Sequence, residues 1–266
     1  MTTNLQSKPL EGLIEKSFKL SWLPRSSLAR RAFCTNLCLV AFGIRAGYLI
    51  DSFSPTGGEK DLQRLLETLR RGSPRFNEVR LAYTAEHQQY FFLNMSLLCE
   101  RAKYLCTTKE HGKHPTFILL DQEETVIDPP QDVIEAVILV AGSPENPIRL
   151  PEGLTPKTLI PLCGFLLEYP VAYVPYSIDS EAFLGGVPLD VYECIVFPNK
   201  EDEDANKHIF LKFSCPAHLG VTHSVLAPDS IVTDLERVFR GRLERLSCPW
   251  SLRIIHTVIT QDRVAL

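Results

Sequence analysis

Apolar positions along the chain fall into two alternating periods, and the alternation predicts the elements. Ser26 or Ser27 can cap a helix running to about residue 44, with Leu28, Ala32, Leu37, Ala41 and Ile44 at helical spacing. Gly47 is placed to end its exit turn, and AGYLID (46–51) reads as a short buried strand. The loop SFSPTGG leads to a helix over 59–71 that shows Leu62, Leu65, Leu66 and Leu69 on one face. EVRLAYT (78–84) and QQYFFLN (88–94) are strands, 96–106 is a helix, and TFILLD (116–121) is a buried strand. Asp128-Pro129-Pro130 opens a helix to about residue 141, and the Gly/Pro-rich stretch 142–156 is the longest connector. Thr155 followed by Pro156 starts another helix, which must stop near Tyr169 because Pro170 disfavours helical geometry there. VAYVPY (171–176) is then extended.

LDVYECIVF (189–197) and HIFLKFSCP (208–216) flank the acidic connector PNKEDEDANK, the pattern of an antiparallel hairpin with a solvated tip. A helix over 228–246 and the strand SLRIIHTVIT (251–260) complete the chain. Helices alternate with strands through the first two thirds, which implies an α/β fold with crossovers. The expectation is a layered, mixed sheet of about six to eight strands, the hairpin near 189–216 making it mixed. At 266 residues the chain is within reach of one core, so a variable segment over 1–25 and a single α/β domain over 26–266 are expected.

Composition narrows the partners. Lys and Arg total 28 against 32 Asp and Glu, a net charge of -4, which gives no general attraction to nucleic acid or to anionic membranes. The arginines at 30–31 and at 70, 71 and 75 sit near predicted helix ends and read as solvated faces. MTTNLQSKPLEGLIEKSF lacks the apolar core of a signal peptide, and the longest apolar stretch, 32–44, is too short to span a bilayer. Eight cysteines in mostly apolar settings read as buried free thiols of a reducing compartment, so the cytoplasm is expected, with the nucleus left open.

The most suggestive chemistry is Asp51 at a strand end, then Gly57-Gly58, then a helix N-terminus. In open α/β sheets, ligands settle beyond the carboxyl ends of strands, where helix amides bind anions. Asp121 ends another strand and would join Asp51 if the two strands are neighbours, the pair then holding a cation or sharing a proton. The alternative is a plain strand end with flexible glycines, since neither a Walker sequence nor GxGxxG is present. Cys99, Cys106, His111 and His114, separated by six, four and two residues, fit no common zinc spacing, and Cys215, His218 and His223 are looser still. Cys34 and Cys38 suit one apolar helix face. Cys163 lies inside a predicted helix rather than at an exposed start, and His256 reads as a satisfied core or rim histidine. No cofactor and no metal are expected.

GYLIDSF, GFLLEYPVAYVPY and the closing VAL together resemble the animal protein family typified by the product of chromosome 1 open reading frame 74, a domain of unknown function. The most specific piece is GFLLEYPVAY (164–173). The resemblance implies an identity without an activity, and it carries over no catalytic residue. The expected function is therefore that of a non-catalytic α/β domain acting through protein contacts. The second expectation is an enzyme or binder of a small anionic or phosphorylated ligand at the loop 51–58.

Overall fold

The computed structural model of the chain describes residue 12 and residues 26–107, 114–121, 123–176, 184–197, 207–246 and 250–261. Apart from residue 12, the expected variable segment lies outside them, as do the acidic connector up to residue 206, His111 and Cys248. Helix α1 (Ser27–Ala41) starts as predicted, the Ser26 hydroxyl accepting from the Ala29 N–H. It ends earlier than predicted. Gly43, at φ +66°, takes the left-handed turn after the helix, a role the sequence assigned to Gly47. Gly47 instead lies in strand β1 (Gly47–Leu49), where a Cβ would sit 2.3 Å from the Leu166 carbonyl oxygen, so only glycine permits that approach.

Helix α2 (Glu59–Gly72) buries its four predicted leucines. The hairpin β2 (Val79–Thr84) and β3 (Gln89–Asn94) runs into α3 (Met95–Thr107), and β4 (Thr116–Leu120) follows. Next come β5 (Thr125–Ile127), α4 (Gln131–Gly142), β6 (Ile148–Arg149), α5 (Pro156–Leu166) and β7 (Val171–Pro175). Strands β8 (Pro188–Phe197) and β9 (His208–Pro216), the short α6 (Leu219–Thr222), α7 (Pro228–Arg245) and β10 (Ser251–Thr260) close the order. Helix α5 starts at Pro156 as predicted. Thr155 precedes it without a side-chain capping bond, and the helix stops at Leu166, short of the Tyr169 that the proline rule pointed to.

The chain is mixed α/β, and the ten strands among the described residues divide among three sheets rather than one. The first runs β1-β3-β2-β6, with β6 parallel to β2 and the other pairings antiparallel. The second runs β5-β4-β7, with β4 parallel to β7. The third, β10-β8-β9, is antiparallel throughout, so the predicted hairpin and β10 together form a separate sheet. Within it β8 and β9 are consecutive antiparallel neighbours, whereas β10 returns by way of α6 and α7 to the other side of β8. Among the described residues no helix is long and apolar enough to cross a membrane.

Period-two alternation in the first two sheets sends side chains to two separate cores. Leu81, Phe92, Ile118 and Val171 face a core shared with α1, α2, α7 and the third sheet. Ala82, Phe91, Phe117 and Ala172 face a second core built with α3, α4 and α5. Tyr169, just past α5, packs against both. The turn after α5 thus sits where the two cores meet.

Candidate functional site

The predicted loop is built to satisfy itself. The Gly57 N–H donates to Asp61 Oδ2 at 2.8 Å, and Gly58, at φ +57°, donates to the Pro55 carbonyl at 3.0 Å. A Cβ at Gly58 would stand 2.9 Å from the Tyr90 hydroxyl, so the glycine is set by turn geometry. Glu59 and Asp61 occupy the first turn of α2 and supply the negative charge that a helix N-terminus attracts. Asp51 and Asp121 are both exposed, and they follow β1 and β4, which belong to different sheets. The neighbouring-strand condition for their pairing is not met. Asp51 lies within electrostatic reach of Arg45 and Tyr48 instead.

The other candidates resolve into packing. Cys99 Sγ lies 3.4 Å from the Ala141 carbonyl oxygen, Cys106 is exposed, and His114 Nδ1 lies 2.8 Å from the carbonyl of Pro115. Among the described residues no three His, Cys, Asp or Glu side chains converge as a metal site would require. Burial pushes the Cys163 thiol up to about 12, which keeps it a thiol rather than a thiolate nucleophile. His256 Nε2 is 2.7 Å from Asp190 Oδ1, and its ring stacks on Tyr192 at 5.0 Å, a satisfied histidine.

A cavity of about 470 Å³ opens between α3, the turn at 168–170 and α7. Three residues missed from sequence meet in its wall: Arg101 of α3, Glu168 of the turn and Arg242 of α7. The turn that carries Glu168 is a Schellman motif. The Tyr169 N–H bonds to the Gly164 carbonyl and the Glu168 N–H to that of Phe165, with Glu168 at φ +66° in the position glycine normally fills. A left-handed glutamate costs about 1–2 kcal/mol and persists where its surroundings hold it. Arg242 holds it with two bonds, Nη1 to Oε2 at 2.9 Å and Nη2 to Oε1 at 2.6 Å, and the Ala46 N–H adds a third at 2.8 Å. Arg242 Nη1 also donates to the Ile44 carbonyl, tying α7 to the turn after α1.

Arg101 is left with much less. Its Nη1 donates to the Phe165 carbonyl, its guanidinium lies 4.4 Å from the Phe165 ring, and its Nε stands 3.8 Å from Glu168 Oε1, beyond hydrogen-bond reach. Its side chain is only 10% exposed. Burial would push the Glu168 carboxyl up, but Arg242 and Arg101 together with its hydrogen bonds hold it below its ordinary value. Burial pushes the Arg101 guanidinium down, opposed by Glu168 and aided by Arg242. Arg242 is raised, because Glu168 outweighs its burial. Where this cluster lines the cavity it therefore holds two cations and one anion, Arg101 being the cation that Glu168 does not hydrogen-bond.

Only one signal in the sequence pointed here: a glutamate between Leu167 and Tyr169 in an apolar run, where a buried charge requires a partner. The partners, 67 and 74 positions away, carry no local mark. No family model, no curated protein and no solved structure matches the chain.

Proposed function

We propose that the cavity between α3 and α7 binds a small amphipathic anion and that the chain works as a ligand-binding α/β protein. The observation that carries this reading is Arg101: a guanidinium nine-tenths buried in a cavity wall, beside a glutamate already held bidentate by Arg242. A desolvated cation in surplus favours an anion far more than an exposed arginine does. This keeps the ligand class that the sequence suggested and moves it away from the loop 51–58. A cavity of about 470 Å³ is of the size that encloses a metabolite. A thermal-shift screen of anionic metabolites against the wild-type chain and Arg101→Met tests it. Bound at a hundred times its Kd, a hit stabilises the folded chain by about 2.7 kcal/mol, and the variant loses the shift. Hits that shift both equally count against the site.

The second reading, a domain acting through protein contacts, is favoured by β10. It is the outer strand of the third sheet, ten residues without proline, with Ile255 38% and Val258 60% exposed. Such an edge accepts an added strand. If a second copy supplies it, light scattering on the full chain finds a dimer that Val258→Lys dissociates, while a monomer at all concentrations speaks against it. A cytoplasmic setting belongs to this proposal and is supported by the seven described cysteines, all free. So does membership of the family resembled in sequence, whose most specific segment carries Glu168 and Tyr169 into the cavity wall.

A further inference from the structure

We infer that the ligand of this cavity is a monocarboxylate with a slender apolar body, its head at Arg101 and its body along α7; this rests on the anion-binding reading above. Charge sets the head group. Arg101 and Arg242 against Glu168 leave an excess of one, and the arginines and carboxylates of the whole lining, four arginines against Glu100, Glu168 and Asp234, leave the same excess. One negative charge brings the buried cluster to neutrality, whereas a phosphate dianion overshoots it and leaves an unpaired charge in a desolvated place.

Geometry agrees with charge. With Nη1 engaged on the Phe165 carbonyl, the Nε–Nη2 edge of Arg101 presents two parallel N–H groups, the fork that a planar carboxylate matches. Glu168 Oε1 stands 3.8 Å from Nε, close enough to act on its charge but outside hydrogen-bond reach, while Arg242 takes the bonds of that carboxylate. The body follows from α7. Arg242, Val238, Leu235 and Ile231 line the cavity in successive turns, a path of about 16 Å at the helical rise of 1.5 Å per residue. Val225 and Leu226 lie beyond the start of α7 and continue this apolar row, with Asp234 and Arg237 lining the cavity beside it.

Calorimetric titration of the full chain at pH 8 with dodecanoate, dodecan-1-ol and dodecyl phosphate, each below its micelle concentration or solubility limit, tests the class. Dodecanoate is expected to bind one to one, about tenfold or more tighter than the alcohol, and tighter than the phosphate. Arg101→Met brings dodecanoate down to the alcohol's affinity and leaves the alcohol nearly unchanged; Arg101→Lys, with charge but no fork, falls between. Val238→Trp fills the middle of the cavity and abolishes binding of both carboxylate and alcohol. Equal binding of carboxylate and alcohol by the wild type, or tighter binding of the phosphate, overturns the carboxylate class and leaves the cavity as a site. Binding unaffected by Val238→Trp places the ligand elsewhere and overturns the proposal. If none of the three binds while the metabolite screen yields Arg101-dependent hits, the class fails and the site stands; if both fail, the site fails too.

Discussion

The loop at 51–58 and the turn at 168–170 each adjoin a helix end through a left-handed residue, Gly58 in one and Glu168 in the other. Both are surrounded by charge, and the charges are opposite in sign. Around the loop stand Asp51, Glu59 and Asp61, and the amide of Gly57 is already bonded to Asp61. Around the turn stand Arg101 and Arg242, the second bonded twice to Glu168 and the first 3.8 Å from it without a hydrogen bond to it. A helix N-terminus attracts anions through its amides and its dipole, but those attractions act on the chain's own carboxylates first. What distinguishes a site for an outside ligand is the donor or charge left over after the internal partners have been served.

The largest expected effect comes from removing the internal partner at the turn. Glu168→Gln leaves two buried guanidinium groups without a counter-charge and should cost about 3–5 kcal/mol in urea unfolding, as breaking buried ion pairs does. The pH dependence has a definite sign. Glu168 titrates below its ordinary carboxyl value when folded, so its contribution is complete above the unfolded value of 4.5. It is lost as the pH falls through the lower, folded value. Glutamine has no such contribution to lose, so the gap between wild type and variant should be widest near neutrality and close in acid. A gap that stays constant down to acid pH would mean that packing, and not charge, holds the turn.

Strand and helix positions were legible because one face of each element meets a core: Leu62, Leu65, Leu66 and Leu69 write the buried face of α2 directly in the sequence. Short β6 was not, because two residues cannot show a period, and its place beside β2 is decided by pairing at Ala82 and Tyr83. Division into three sheets was hidden for a similar reason. Periodicity reports which side chains are buried but not which strand is the neighbour, and the β4–β7 pairing joins segments about fifty residues apart. Local rules also competed. Pro170 marked the end of α5 correctly in kind, but a Schellman turn at Glu168 ended it three residues sooner. At the site, glycines and a helix start are visible in one short window, and they drew attention to 51–58. The Arg101, Glu168 and Arg242 cluster is assembled from three distant segments, and each member looks ordinary in its own neighbourhood.

The smallest expected effect sharpens the contrast from the other side. Asp51 is exposed, and its carboxylate acts on Arg45 and Tyr48 through solvent-screened electrostatics. Arg45 does not depend on it for hydrogen bonds, since its Nη1 donates to Asn36 Oδ1 at 2.8 Å and to the Phe210 carbonyl at 2.7 Å. Asp51→Asn keeps the shape and removes only the charge, so unfolding free energy should change by no more than about 0.5 kcal/mol, the range of ordinary surface substitutions. Ligand-induced stabilisation measured in the same melting experiment should be unchanged, because the anion is expected at Arg101. A cation site at the strand ends would behave differently. There, magnesium or calcium would raise the melting temperature of the wild type, and Asp51→Asn would erase that rise. Observing it would restore the loop as a binding site and remove the distinction drawn between the two regions. An unchanged ligand response alongside its loss in Arg101→Met would assign binding to the turn, since two variants of one chain would then differ only in which charge was taken away.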